Sequence, residues 1–185
     1  DLGRIRRRHL KVLPQSILQP SPLRQTARCR HFGACGGCKL QHLPYLEQLL
    51  WKEAKVQALF PGQTIHPIMG SDNEWAYRNK VELSFSETLK GDKYLGIILI
   101  NTRGHVFTIE ECHLIDPWVM QAASAVRHWW EASNLKAYHH MKNSGSLRTL
   151  TIRHGITSGD RLVMLTVSGN PEWALKKEEL EAFVT

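Results

Sequence analysis

The sequence predicts an α+β domain built on a mostly antiparallel sheet with flanking helices. Short alternating apolar runs come in neighbouring pairs joined by turn signals, single helical stretches separate the pairs, and 42% of the 185 residues are hydrophobic, enough for one ordinary core. No run approaches the roughly eighteen apolar residues that a membrane span requires, and the longest, residues 94–100, is strand-sized. A membrane is therefore excluded as the protein's home.

Residues 9–13 (His-Leu-Lys-Val-Leu) alternate as a half-buried strand does, and Pro14, Pro20 and Pro22 then break regular structure. The stretch 28–38 follows as a loop with three cysteines and three glycines. Residues 45–60 turn helical, with Leu46, Leu49, Leu50, Ala54 and Ala58 on one face and Pro61-Gly62 as the stop. Val81, Leu83 and Phe85 alternate with Glu82, Ser84 and Ser86, and the runs 94–100 and 105–109 flank Asn101-Thr-Arg-Gly104 as a hairpin does. Asp116-Pro117 opens a helix whose buried stripe is Val119, Ala122, Val126 and Trp129 or Trp130. Strands over 147–153 and 161–167 form a second pair, and Asn170-Pro171 reads as N-cap and first residue of a last helix reaching Phe183.

Formal charge is +7 and sits almost wholly at the start. Residues 1–30 hold eight cations, Arg6, Arg7 and Arg8 among them, against Asp1 alone, while the other 155 residues balance at sixteen of each sign. A basic segment leading into the first cysteine suits a polyanion partner, because each cation that meets a phosphate releases a condensed counterion. A solvated basic end is the competing reading.

Cys29, Cys35 and Cys38 stand in C-x5-C-x2-C spacing with Gly36-Gly37 inside the tight pair. The glycines let the backbone wrap a bulky ligand and turn amides toward sulfur. Cys112, the remaining cysteine, completes four thiolates, the ligand set of an iron-sulfur cluster. Structural zinc accepts the same four, but its sites usually show two close pairs. Disulfides suit an even count, although Cys35 and Cys38 are poor partners for each other and nothing marks the chain as secreted. A radical-generating cluster commonly has a spacer of three where this one has five. His31, His42 and His113 lie near cysteines and are left out of the ligand set.

The ordered motifs Cys29-Arg-His-Phe-Gly-Ala-Cys-Gly-Gly-Cys38 with Gln41-His42, Tyr77-Arg-Asn-Lys80, Cys112-His-Leu-Ile-Asp116 and Gly145-Ser-Leu-Arg-Thr-Leu-Thr-Ile-Arg153 resemble the TrmA/RumA-type RNA 5-methyluridine methyltransferases. The resemblance implies a central domain with a 4Fe-4S cluster over residues 26–185, preceded at 1–25 by the tail of an OB-like TRAM domain. It implies that about 48–72 packs on an S-adenosylmethionine-binding methyltransferase domain beyond Thr185, where both the nucleophile and the base would lie. The expected partner is tRNA or ribosomal RNA and the expected compartment the cytoplasm. No catalytic residue is expected within these 185 residues.

Tyr77, Arg78 and Lys80 put two cations beside an aromatic, which suits phosphate contact and base stacking, although cations at a strand entrance are more often a solvated edge. Arg148 and Arg153 are expected on opposite faces of their strand, since five positions separate them. The six tryptophans read as core or interface residues, and His139-His140 as a polar linker. No nucleotide-binding glycine motif occurs. A stand-alone zinc- or cluster-stabilised RNA-binding module and a small electron carrier are the rival readings.

Overall fold

The computed structural model of the chain describes residues 16–102 and 104–184. The strand expected at 9–13 and the cations Arg6, Arg7 and Arg8 lie outside the described residues. The elements run α1 (Tyr45–Leu59), β1 (Lys80–Glu87), β2 (Lys93–Ile98), β3 (Val106–Thr108), α2 (Pro117–Ala132), β4 (Leu147–His154), β5 (Arg161–Val167) and α3 (Lys177–Val184). All five strands join one antiparallel sheet in the order β3-β2-β1-β4-β5. None of the described helices is long and apolar enough to cross a membrane.

Alternation decides which face of the sheet is covered. Val81, Leu83 and Phe85 of β1 and Leu150 and Ile152 of β4 are buried beneath α2, which presents Trp118, Val119, Ala123, Val126 and Trp130. The expected stripe holds, except that Ala123 rather than Ala122 is the buried alanine, and Trp118 joins it. Asp116 caps α2 by accepting a hydrogen bond from the Trp118 backbone N–H at 3.2 Å, with Pro117 at the first position. At the other end Lys93 Nζ donates to the carbonyls of Trp130 and Ser133 at 2.7 and 2.8 Å, joining the Ser133 N–H and hydroxyl that also reach the Trp130 oxygen. Burial lowers the Lys93 pKa, the neighbouring Glu87 opposing that shift.

Three local features depart from the sequence reading or add to it, each for a physical reason. The last helix is broken: Asn170 caps only a 3-10 turn, Pro171–Trp173, and α3 begins afresh at Lys177. The chain is extended at Ala174, Leu175 packs against the core, and the Glu179 carboxylate accepts from the Lys176 N–H at 2.7 Å. Secondly, α1 forms where expected but buries none of its residues, leaving Leu46 64% and Leu59 75% exposed. Thirdly, a bulge between Leu147 and Thr149 interrupts the two-residue period of β4. Leu147 and Leu150 both stay buried, and Arg148 and Arg153 are both exposed.

The segment read as a linker around His139-His140 is an ordered excursion closed by pairing of Ala137 with Leu147 and of His139 with Ser144. Gly145 adopts φ +89°, and a side chain there would run into the Ala137 carbonyl. Gly145→Ala is therefore expected to destabilise by about 2 kcal/mol or more, lowering the melting temperature by roughly 4–8 °C for a domain of this size. Thermal melting followed by circular dichroism checks it.

Candidate metal centre and its surroundings

The 28–38 loop is shaped by short backbone hydrogen bonds. Phe32 N–H donates to Cys29 O at 3.1 Å, Cys35 N–H to His31 O at 2.8 Å, and the Gly37 amide points at Cys35 Sγ from 3.3 Å. A side chain on Gly37 would lie 3.3 Å from that sulfur, which shows how closely the loop wraps it. The loop is pinned to the β2–β3 hairpin: Cys35 pairs with Leu99, and Ile100 N–H donates to Ala34 O at 2.9 Å. This docking ends β2 at Ile98, short of the run expected to 100, because the backbone beyond it serves the loop. Further ties are the Glu110 N–H donating to His31 Nε2 at 3.2 Å and the Arg30 N–H donating to Glu111 at 2.6 Å.

Cys112 follows the same hairpin, and its position completes the arrangement. Cys29, Cys35, Cys38 and Cys112, all free thiols, line one small cavity of about 30 Å³ with apolar walls that include Phe32, Val81 and Ile109. Among the described residues no three Cys, His, Asp or Glu side chains are set to grip a single metal ion. Burial pushes the Cys112 thiol up, and Cys38 and Cys35 add to this while Arg78 opposes it. Burial likewise raises Cys29, with Glu111 contributing. Glu111 itself is held below the usual carboxylate range, chiefly by the Arg30 backbone N–H. His31 and His113 are engaged as hydrogen-bond acceptor and Glu111 neighbour, respectively. His42 packs on Phe32, its buried Nδ1 without a protein partner.

The residues expected to meet RNA are not gathered at one spot. Arg78 lines the cysteine cavity. Lys80 stands opposite Arg153 on the sheet face away from α2. Tyr77, half exposed, lines a groove between α1 and the cysteine loop. Sequence reasoning missed that groove, which also contains Tyr45 and Trp75, and missed Arg28, whose guanidinium lies 5.0 Å from the Trp75 ring centroid. The signal available was Trp75 two residues before Tyr77 and Arg28 beside Cys29.

The chain resembles the crystal structure of Pyrococcus abyssi tRNA (uracil-54, C5)-methyltransferase in complex with S-adenosyl-L-homocysteine, with a TM-score of 0.65 over 90% of this chain and 37% of that one. At 23% identity that likeness is one of fold. In sequence the chain is 51% identical over 173 residues to an uncharacterized RNA methyltransferase of Protochlamydia amoebophila, covering 91% of this chain and 39% of the relative. It is 39% identical over 152 residues to one of Chlamydia trachomatis, covering 80% of this chain and 38% of the relative. The chain is similar to these RNA methyltransferases, which supports the family that its motifs resemble, and spans about two fifths of the length of these relatives. No family model matches it.

Proposed function

We propose that the chain is the RNA-recognition and iron-sulfur portion of an S-adenosylmethionine-dependent RNA uracil-C5 methyltransferase, acting on tRNA or ribosomal RNA in the cytoplasm. The observation that carries this is the meeting of Cys29, Cys35, Cys38 and Cys112 at one cavity in a chain whose relatives are RNA methyltransferases. Four thiolates are the ligand set of a 4Fe-4S cluster. The donor set fits: burial disfavours the ionised thiols, which bound iron would stabilise, and the Gly37 amide is aimed at Cys35 Sγ. The cavity is small, so a cluster has to spread the thiols, whereas zinc would need them to close on one point. When bound, the cluster supplies order to a loop rich in glycine.

Residues 26–185 are then the central domain and 1–25 the tail of a TRAM-like unit. The exposed apolar side chains of α1, Leu46, Leu50 and Leu59, support packing of the 48–72 region on a methyltransferase domain. S-adenosylmethionine binds in that domain, outside these 185 residues. RNA would meet Tyr77 and Lys80, with Arg78 nearer the cysteines, and the cations Arg6, Arg7 and Arg8 would add phosphate contacts.

Anaerobically purified protein is expected to be brown, with broad absorbance at about 400 nm and about four iron and four sulfide per chain. Iron and sulfide analysis checks this. Stoichiometric zinc without sulfide would turn the assignment to a zinc-stabilised RNA-binding module.

A further inference from the structure

The groove beside the cysteine loop has a mixed aromatic and cationic lining and shares Gly37 and Cys38 with that loop, while its aromatic and charged side chains come from other segments. It holds about 430 Å³, within the range of small-molecule sites (roughly 300–1,000 Å³). Tyr45, Trp75 and Tyr77 supply aromatic surface, Lys39 and Lys52 supply positive charge, and Glu74 supplies a carboxylate.

Two of the aromatics are held by their surroundings. The Tyr45 hydroxyl accepts from the Ser71 N–H at 2.7 Å, tying α1 to the 71–77 segment. Trp75 is braced edge-on by His113 and by the Arg28 guanidinium. Between Trp75 and Tyr77, Ala76 sits at φ +52°, a conformation that costs a non-glycine residue about 1–3 kcal/mol. It persists because the Ala76 and Arg78 N–H groups donate to His113 O and Leu114 O at 2.9 and 2.8 Å. The surrounding structure thus sustains a strained backbone at the point that carries Tyr77 into the groove, half exposed.

From this geometry we infer that the groove receives one unstacked nucleotide from a single-stranded stretch of the RNA. The base lies against the aromatic surface of Tyr77 and Trp75, and Lys39 and Lys52 take the flanking phosphate. Glu74 repels phosphate but accepts from base N–H groups, so it favours the entry of an unpaired base edge over backbone phosphate. A duplex cannot enter, because its bases are paired and stacked within the helix. The inference rests on the RNA reading above and adds the subsite and the single-stranded specificity.

The test is fluorescence anisotropy of the whole 185-residue chain with two labelled RNAs, a hairpin with a uridine-rich loop of seven nucleotides and a blunt duplex of the same stem sequence. The chain is expected to prefer the hairpin. Tyr77→Ala is expected to weaken hairpin binding by roughly 5- to 150-fold, the equivalent of about 1–3 kcal/mol for a stacked base, and to leave duplex binding unchanged. Tyr77→Phe, which keeps the ring, should restore most of the loss, and 4-thiouridine in the loop should crosslink to the peptide containing Trp75 and Tyr77. Equal losses for hairpin and duplex, or hairpin binding indifferent to both Tyr77→Ala and Trp75→Leu, would overturn the subsite while leaving RNA binding intact. Absence of binding to either RNA would overturn both.

Discussion

Cys112→Ser is expected to bleach the anaerobically purified protein and to free the 28–38 loop from the sheet. Serine keeps the shape of cysteine but its hydroxyl does not ionise near neutral pH, so one of the four proposed thiolate ligands would be lost. Cys112 is also the ligand candidate that comes from outside the loop, and through it a cluster would tie the loop to the end of the β2–β3 hairpin. Besides the hydrogen bonds and pairing of Arg30, His31, Ala34 and Cys35 with the hairpin and the residues after it, the loop is held there by surface ion pairs. Arg30 meets Glu110 and Glu111 at 3.2 and 3.7 Å on the surface, and such exposed pairs contribute about 0–1 kcal/mol at most. Metal-linked folding energy is far larger than that. A linked loss of even ~3 kcal/mol would lower the melting temperature by roughly 6–12 °C at this chain length. Iron content, absorbance at about 400 nm and amide exchange across residues 28–42 check it. Full iron content in the serine variant would remove Cys112 from the ligand set.

Methyl transfer by the isolated 185-residue chain is expected to stay at background, and calorimetry to detect no S-adenosylmethionine binding. Uracil C5 is a poor nucleophile. Methylating it takes a thiolate adding to C6, which makes C5 enolate-like, then transfer of the methyl group, then a general base that removes the C5 proton. All four cysteines of the chain stand around one cavity, and burial raises the pKa of Cys29 and Cys112, the opposite of what an attacking thiolate requires. No glycine-rich strand-to-helix turn is present in the sequence to hold the donor. Radiolabelled methyl transfer to total RNA should appear only with a catalytic domain supplied. Donor-dependent 5-methyluridine formation by the 185-residue chain alone would make one of these cysteines catalytic and sink the cluster assignment.

Much of the fold is legible in the sequence because local chemistry and tertiary structure agree. Val81, Leu83 and Phe85 alternate and are buried as an alternating strand must be, and Asp116-Pro117 caps a helix whose apolar stripe faces the sheet. The spacing of Cys29, Cys35 and Cys38 likewise anticipates their meeting at one cavity, since two glycines in a tight pair leave the backbone free to bend.

What tertiary structure alone decided lies wherever a distant contact outbids a local preference. Asn170-Pro171 begins a helix, yet Leu175 is drawn to the core and divides it. The periodicity of α1 promises burial, but a stripe of leucines does not say whether its partner belongs to this domain, and here the face remains open. The bulge at Arg148 depends on how β4 registers with β5, which period-two reasoning over one strand cannot contain. The aromatic groove is the clearest case. Tyr45, Trp75 and Arg28 come from three separate segments, and the left-handed turn at Ala76 that carries Tyr77 toward them is sustained by hydrogen bonds to His113 and Leu114, far along the chain. Local propensity is an energy of neighbours in sequence; that groove is made by neighbours in space.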